Sequence, residues 1–278
     1  MVVIVADTTC GLPRDLLEQR GIPLIPQIIT LGEKYYHDDE EIDTPKLLRM
    51  MQDSPVLPKT SAPGPILYYS IFGQAAEKGA SAVVVAPSSK VSGTICSALA
   101  AAADFPNVDI RVVDTQTVSG NLGSMVLVAD DMAKAGRPAG EIVEKLNEMI
   151  PRGRIYFLVD TLEYLARGGR IGGAKKLLAE LLEIKPILQI KNAQVEPFEQ
   201  QRTKKRALAR LVEVAVENCK GGAEAHLCVL QVEAEKEAES LVQELKSKVN
   251  VQSIPIYELP PAIVVHAGPK AMGVGFFV

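Results

Sequence analysis

The chain contains no tryptophan, and aromatic residues make up only 5% of it. Stacking platforms for bases and an interfacial tryptophan belt are therefore poorly provided for. A basic excess is missing too: 30 Lys plus Arg face 34 Asp plus Glu, for a net charge of -4. No surface for gripping phosphate backbones follows from that balance, and nucleic acid is not expected as a partner. The four cysteines, Cys10, Cys96, Cys219 and Cys228, form no C-x-x-C pair and show none of the spacing that closes a zinc site. They read as free thiols in a reducing cytoplasm, which is the expected location, and no metal is expected. No run reaches the roughly 18 apolar residues of a membrane helix, and Met1 to Ala6 meets Asp7 too soon for a signal peptide. Three motifs are also absent: a G-x-G-x-x-G after a strand, a G-x-x-x-x-G-K followed by Ser or Thr, and a G-x-S-x-G elbow. Their absence leaves no dinucleotide fingerprint, no phosphate-cradling loop and no hydrolase nucleophile turn.

What is present is globular. The 278 residues are 47% hydrophobic and 23% charged, enough for two domains. Val2 to Val5 is a continuous aliphatic run, Ala82 to Ala86 and Ile110 to Val113 read as strands buried on both faces, and helical segments alternate with them. A hairpin is expected over Ile25 to Thr30 and Lys34 to His37, then a helix capped by Asp43 with Pro45 in its first turn. The basic turn Pro151-Arg152-Gly153 marks a boundary, giving residues 1–153 as a three-layer α/β/α domain with a mainly parallel sheet. Residues 154–278 follow as a two-layer α/β domain with a mixed sheet. Its expected parts are a strand over Ile155 to Val159, a hairpin over Ile187 to Ile190 and Val195 to Glu199, and helices with apolar stripes around Leu211 and Leu241. Further strands are expected over Leu227 to Val232, Val251 to Tyr257, Ala262 to His266 and Gly273 to Val278.

Chemistry gathers in loops. Pro87-Ser88-Ser89-Lys90-Val91-Ser92-Gly93-Thr94 joins a buried strand to an Ala-rich helix, where free N–H groups and a partial positive charge favour a carboxylate or carbonyl oxygen. A plain helix cap by Ser92 is the simpler alternative. Thr60-Ser61 forms a second hydroxyl pair, Asp114 to Gly120 a third polar loop, and His266 is expected to emerge at a strand end. Arg167-Gly168-Gly169-Arg170 reads either as an anion site or as a glycine-terminated helix with cations at its negative end. The acidic run His37 to Glu41 reads as a solvated face.

Together these pieces resemble the DegV family of bacterial fatty-acid-binding proteins. The match is carried by Asp7-Thr8-Thr9, Leu12-Pro13, Thr60-Ser61, Ser92-Gly93-Thr94, Asp114-Thr115, Ser119-Gly120, Gly168-Gly169-Arg170-Ile171, Lys185-Pro186 and His266 with Gly268-Pro269. Ala62, Ile95 and Cys96 depart from the family's usual Gln and Tyr-Gln. The resemblance implies one long-chain fatty acid held in a tunnel between two domains. It implies no cofactor and no catalytic residue here, since a separate fatty acid kinase would make the acyl phosphate for phospholipid synthesis. Thr60 and Ser92 fall on the family's carboxyl-binding hydroxyls, with Ser61, Gly93 and Thr94 beside them and His266 in their hydrogen-bond network. Arg170 falls near the surface that meets the kinase or, transiently, a membrane. The alternative is a stand-alone phosphotransferase or esterase using Ser92 and His266.

Overall fold

The structure is a computed structural model that describes residues 1–38, 40–178 and 184–278. Asp39 of the acidic run lies outside them. The first half comprises β1 (Val2–Asp7), α1 (Arg14–Arg20), β2 (Leu24–Ile25), β3 (Ile28–Leu31), β4 (Lys34–His37), α2 (Thr44–Asp53) and β5 (Lys59–Ser61). It continues through α3 (Tyr69–Glu77), β6 (Ser81–Ala86), α4 (Thr94–Ala103), β7 (Ile110–Asp114), α5 (Ser119–Lys134) and α6 (Ala139–Met149). The second half contains β8 (Gly153–Leu158), α7 (Glu163–Arg167), β9 (Lys185–Lys191), β10 (Gln194–Gln201) and α8 (Lys204–Asn218). After these come β11 (Cys228–Gln231), α9 (Glu235–Lys246), β12 (Ile256–Glu258), α10 (Pro261–Ala267) and β13 (Met272–Phe277).

Strands β2-β1-β6-β7 form a parallel sheet. The inner strands β1 and β6 are buried on both sides because helices cover both, whereas β7, expected to be buried likewise, lies at the sheet edge with Arg111 exposed. Val83 and Val85 pack with Leu122, Met125 and Leu146 of α5 and α6, whereas Val84 and Ala86 pack with Phe72 and Ala98 of α3 and α4. The strands end in the polar loops expected at the ligand rim of such sheets. A small antiparallel sheet, β4-β3-β5, lies beside it and contains the expected hairpin.

The second half builds a mixed sheet in the order β10-β9-β8-β13-β11-β12. Strand alternation divides its faces. Tyr156 and Leu158 of β8 join Leu211, Val212 and Leu241 of α8 and α9, while Ile155 and Phe157 face the other way, toward Leu165, Leu188 and Leu230. On β13, Met272, Val274 and Phe276 supply the helix-covered side and glycines the opposite one. Gly275 is required there, because a Cβ would sit 2.5 Å from Asn121 Oδ1. Asn121, at the start of α5, donates from Nδ2 to the carbonyls of Arg154 at 3.1 Å and Phe276 at 3.3 Å, tying α5 to the mixed sheet.

Three expectations are corrected. Residues 262–266 form a helix, α10, rather than a strand. A short apolar run rich in β-branched residues fits either state, and here Pro260 and Pro261 set a helix start that a sheet ladder would not tolerate. The strand expected from Val251 shrinks to Ile256–Glu258, since Pro255 has no N–H to donate. Asp38 departs from the solvated acidic face: it is buried, and its Oδ1 accepts from the Ala262 N–H at 3.3 Å as α10 begins.

Candidate functional site

A largely apolar cavity lies between the two sheets. Ile155, Phe157, Ile190 and Leu230 line it from the mixed sheet, and Ile263 and His266 enter from α10. Those last two are three apart, so they share one face of the helix. The helical correction thus changes what aims His266 but still brings it to the cavity.

The polar lining is spread over several loops and includes Thr9, Gln27, Ser88, Thr117 and Ser119. Thr60, Ser92, His266 and Arg170 all line the cavity. Thr60 lies on β5, an edge strand paired with β3 opposite Ile29, so the polar loop expected there is strand. Its hydroxyl is 2.7 Å from His266 Nε2. The adjoining Ala62 side chain abuts the Ser92 loop, 3.3 Å from where a Cβ on Gly93 would lie. Ser61, Gly93 and Thr94 do not line the cavity. Ser61 alternates outward and is exposed, Gly93 is exposed at the head of α4, and Thr94 is fully buried behind Ser92.

His266 is held neutral. Burial, reinforced by the positive charge of Arg170, pushes its imidazolium down to about 4. Nδ1 is buried with no hydrogen-bond partner, and it faces Gly168, where a Cβ would come within 2.1 Å. With no acceptor at Nδ1, the single ring proton belongs on Nε2, where it is donated to the Thr60 oxygen. The Thr60 hydroxyl proton then remains free for an acceptor in the cavity.

Behind Ser92 stands a buried network that residue patterns did not announce. The Ser92 hydroxyl is 2.9 Å from Thr94 Oγ1, which is 2.8 Å from Asp7 Oδ2 and 2.8 Å from Gln27 Nε2. Asp7 also accepts from Gln27 Nε2, from the Thr9 hydroxyl and, at 2.7 Å, from the Thr9 N–H. Burial pushes the Asp7 carboxyl up, against the pull of those hydrogen bonds. The signal for Asp7 was its place at the end of a buried strand; Gln27, set between Pro26 and Ile28, carried none. Ser88 lines the cavity and donates across to the Ala193 carbonyl at 2.5 Å, and Ser89 donates to Asp114 at 2.6 Å.

The contacts of Arg170 are those of its helix-end reading. Helix α7 ends at Gly168, whose N–H reaches the Tyr164 carbonyl, and the Arg170 side chain donates to the Gly168 carbonyl at 2.7 Å. Its Nε also donates to the Val91 carbonyl at 3.1 Å, linking this loop to the Ser92 loop at the cavity wall. The pair on which an esterase reading depends is not formed, because His266 Nε2 is engaged by Thr60 and Ser92 by Thr94. Among the described residues no cluster of His, Cys, Asp and Glu is arranged to hold a metal ion, and no helix is long and apolar enough to cross a membrane.

The profile of the family described as "Uncharacterised protein, DegV family" matches residues 1–278. The chain belongs to the DegV family. It is 37% identical over 276 residues to a DegV domain-containing protein of Streptomyces coelicolor, spanning 98% of this chain and 97% of that one. A fatty acid binding DegV family protein from Thermus thermophilus has the same fold, with a TM-score of 0.90, 31% identity and 99% of both chains covered. A stearic acid-binding protein from Eubacterium ventriosum superposes with a TM-score of 0.91 at 25% identity, over 100% of this chain and 98% of that chain. Fatty acid binding is thus a property of DegV family structures, and they share the combination of a parallel and a mixed sheet.

Proposed function

We propose that this chain binds one long-chain fatty acid in the cavity and presents its carboxyl group to a separate fatty acid kinase, which converts it to an acyl phosphate. Residues 1–153 and 154–278 act as two domains, and the cavity is the tunnel between them. The observation that carries this reading is a largely apolar cavity whose polar lining includes two hydroxyls, Thr60 and Ser92, each backed by its own hydrogen-bonded support. Burying about 15 methylenes at ~0.8 kcal/mol each contributes on the order of 12 kcal/mol before the several kcal/mol cost of lost freedom. The tail therefore supplies the affinity and the hydroxyls only orient the head. Two Arg170 nitrogens are engaged by backbone carbonyls, which limits a bidentate clamp on the carboxylate and leaves it a competent nucleophile toward a phosphoryl group. The remaining positive charge of Arg170 suits a contact with the kinase's nucleotide or an anionic membrane surface.

Denaturing extraction of protein purified without added lipid, followed by mass spectrometry, tests the reading. One fatty acid per chain is expected. Lipid-free protein that also fails to take up palmitate or oleate would overturn it. ATP or ester turnover by the isolated chain, lost in Ser92→Ala, would support the stand-alone enzyme instead.

A further inference from the structure

The two hydroxyls are supported differently, and counting protons shows what the Ser92 side requires. Thr94 Oγ1 has three polar neighbours, Gln27 Nε2, Asp7 Oδ2 and Ser92 Oγ, but only one proton of its own. Gln27 Nε2 can only donate to it. The Thr94 proton must therefore go either to Asp7 or to Ser92. If Asp7 is a carboxylate, it takes the Thr94 proton, and Ser92 must then donate to Thr94. Ser92 would show the cavity only lone pairs, which repel a carboxylate. If Asp7 carries a proton on Oδ2, the chain runs the other way. Asp7 donates to Thr94, and Thr94 donates to Ser92. Ser92 then accepts from both the Thr94 hydroxyl and, at 3.3 Å, the Thr94 N–H, so its own proton has no outlet except the cavity.

We infer that Asp7 is a positioning residue that holds a proton and, through Thr94, aims the Ser92 hydroxyl proton at the ligand carboxylate. The inference rests on the carrier reading above. Asp7 is 1% exposed and makes no ion pair with a cation among the described residues, so a neutral carboxyl is the less costly form to bury. Its Oδ1 is satisfied by the Thr9 N–H and hydroxyl, leaving Oδ2 for the proton. Gln27, Thr9 and Thr94 supply only neutral groups around it. The titratable group nearest to it in effect is the Tyr68 phenol on the turn before α3, which its own burial holds in the protonated form. Thr60, backed by neutral His266, and Ser92, backed by neutral Asp7, then both donate. A carboxylate has two oxygens to receive them.

The experiment uses the full chain loaded with carboxyl-labelled palmitate. At about pH 7 the ligand carbon is expected at the position of an anion by 13C NMR. In protein labelled at the aspartate side-chain carboxyl, one resonance stays at the neutral-acid position. That resonance is absent from Asp7→Asn. Asp7→Leu, which cannot donate, is expected to weaken palmitate binding about tenfold, with no further loss when Ser92→Ala is added. Palmitate bound as the neutral acid, every aspartate ionised, or additive losses in the double variant would each overturn the assignment while leaving the carrier reading intact. Should Asp7→Leu fail to fold, the labelled wild-type spectra decide alone. A wild-type protein that takes up no fatty acid overturns the carrier reading and this assignment together.

Discussion

Thr60 and Ser92 face the same cavity, but one is oriented from across the molecule and the other from next door. Thr60, on an edge strand of the first half, takes its support from His266, 206 residues later on α10. Ser92 takes its support from Thr94, two residues on, and from Asp7 at the end of the neighbouring strand β1. The first arrangement exists only while the two halves are packed; the second is built into one parallel sheet and its loops. A disturbance of the packing between the sheets should therefore disconnect Thr60 and leave Ser92 supported.

The strongest way to sharpen this comparison is to remove the tail's share. Ile190 lines the cavity from β9, and Ile190→Trp would displace about four methylenes of a bound chain, costing roughly 3 kcal/mol or about a hundredfold in palmitate Kd. A head-group variant that matched this loss would show that the hydroxyls do more than orient. Titration of isolated variants by calorimetry or fluorescence competition provides the numbers.

Next in size is the pH dependence, in which the two supports have opposite signs. His266 is pushed down to about 4 in the fold, by burial first and by Arg170 second. Unfolded, it takes up a proton near pH 6.5, so its contribution is fully present above that value and is lost as pH falls toward about 4. The loss is at most about 3 kcal/mol, less what residual solvent exposure screens. Asp7 is pushed up by burial, so its contribution is present below the ordinary carboxylate range and is lost as pH rises through its folded value. Denaturant melts between about pH 4 and 7 should show the acid-side loss in the wild type and not in His266→Gln. An unchanged profile in that variant would break the assignment of a buried neutral imidazole.

Smaller effects separate the hydroxyls themselves. Ser92→Ala removes one hydrogen bond, about 1 kcal/mol of carboxyl orientation, and leaves Thr94 satisfied by Asp7 and Gln27, so the melting temperature should hold. Thr60→Val removes a similar bond and also strands His266 Nε2, so it should lower stability by about 1 to 3 kcal/mol. Equal melting temperatures would erase the difference between a local and a cross-molecule support. Both variants should lose more acyl phosphate formation than bound lipid.

The smallest expected change in stability and lipid content is in Arg170→Ala. Two bonds to backbone carbonyls go, at a cost of about 1 kcal/mol or less on this partly exposed side chain, and bound fatty acid is retained. Its charge also holds His266 down, so the imidazole should titrate higher in this variant by NMR. Kinase-dependent transfer should fall sharply, and full retention of transfer would make Arg170 a purely structural link between its loop and Val91.

Much of this was legible in the chain because spacing reports local structure. The aliphatic runs before Asp7 and Pro87 marked strands buried on both faces, the run before Asp114 marked a strand that the sheet edge leaves partly exposed, and the stripe through Leu211 and Val212 marked a helix with one packed side. The loop Ser92-Gly93-Thr94 stood out because a strand, a polar loop and a helix start followed one another. Residues 262–266 misled because β-branched apolar runs suit strands and buried helices alike, and the decision lay in two prolines and in the packing of α10 against α2 and α7. The pairing of Thr60 with His266, the inward turn of Arg170 and the meeting of Asp7, Gln27 and Thr94 could come only from the tertiary structure. Hydrophobic periodicity states which face of an element is buried, not which distant face it meets. That choice is made when the uncovered side of the mixed sheet closes over the first half, bringing together side chains that no local pattern relates.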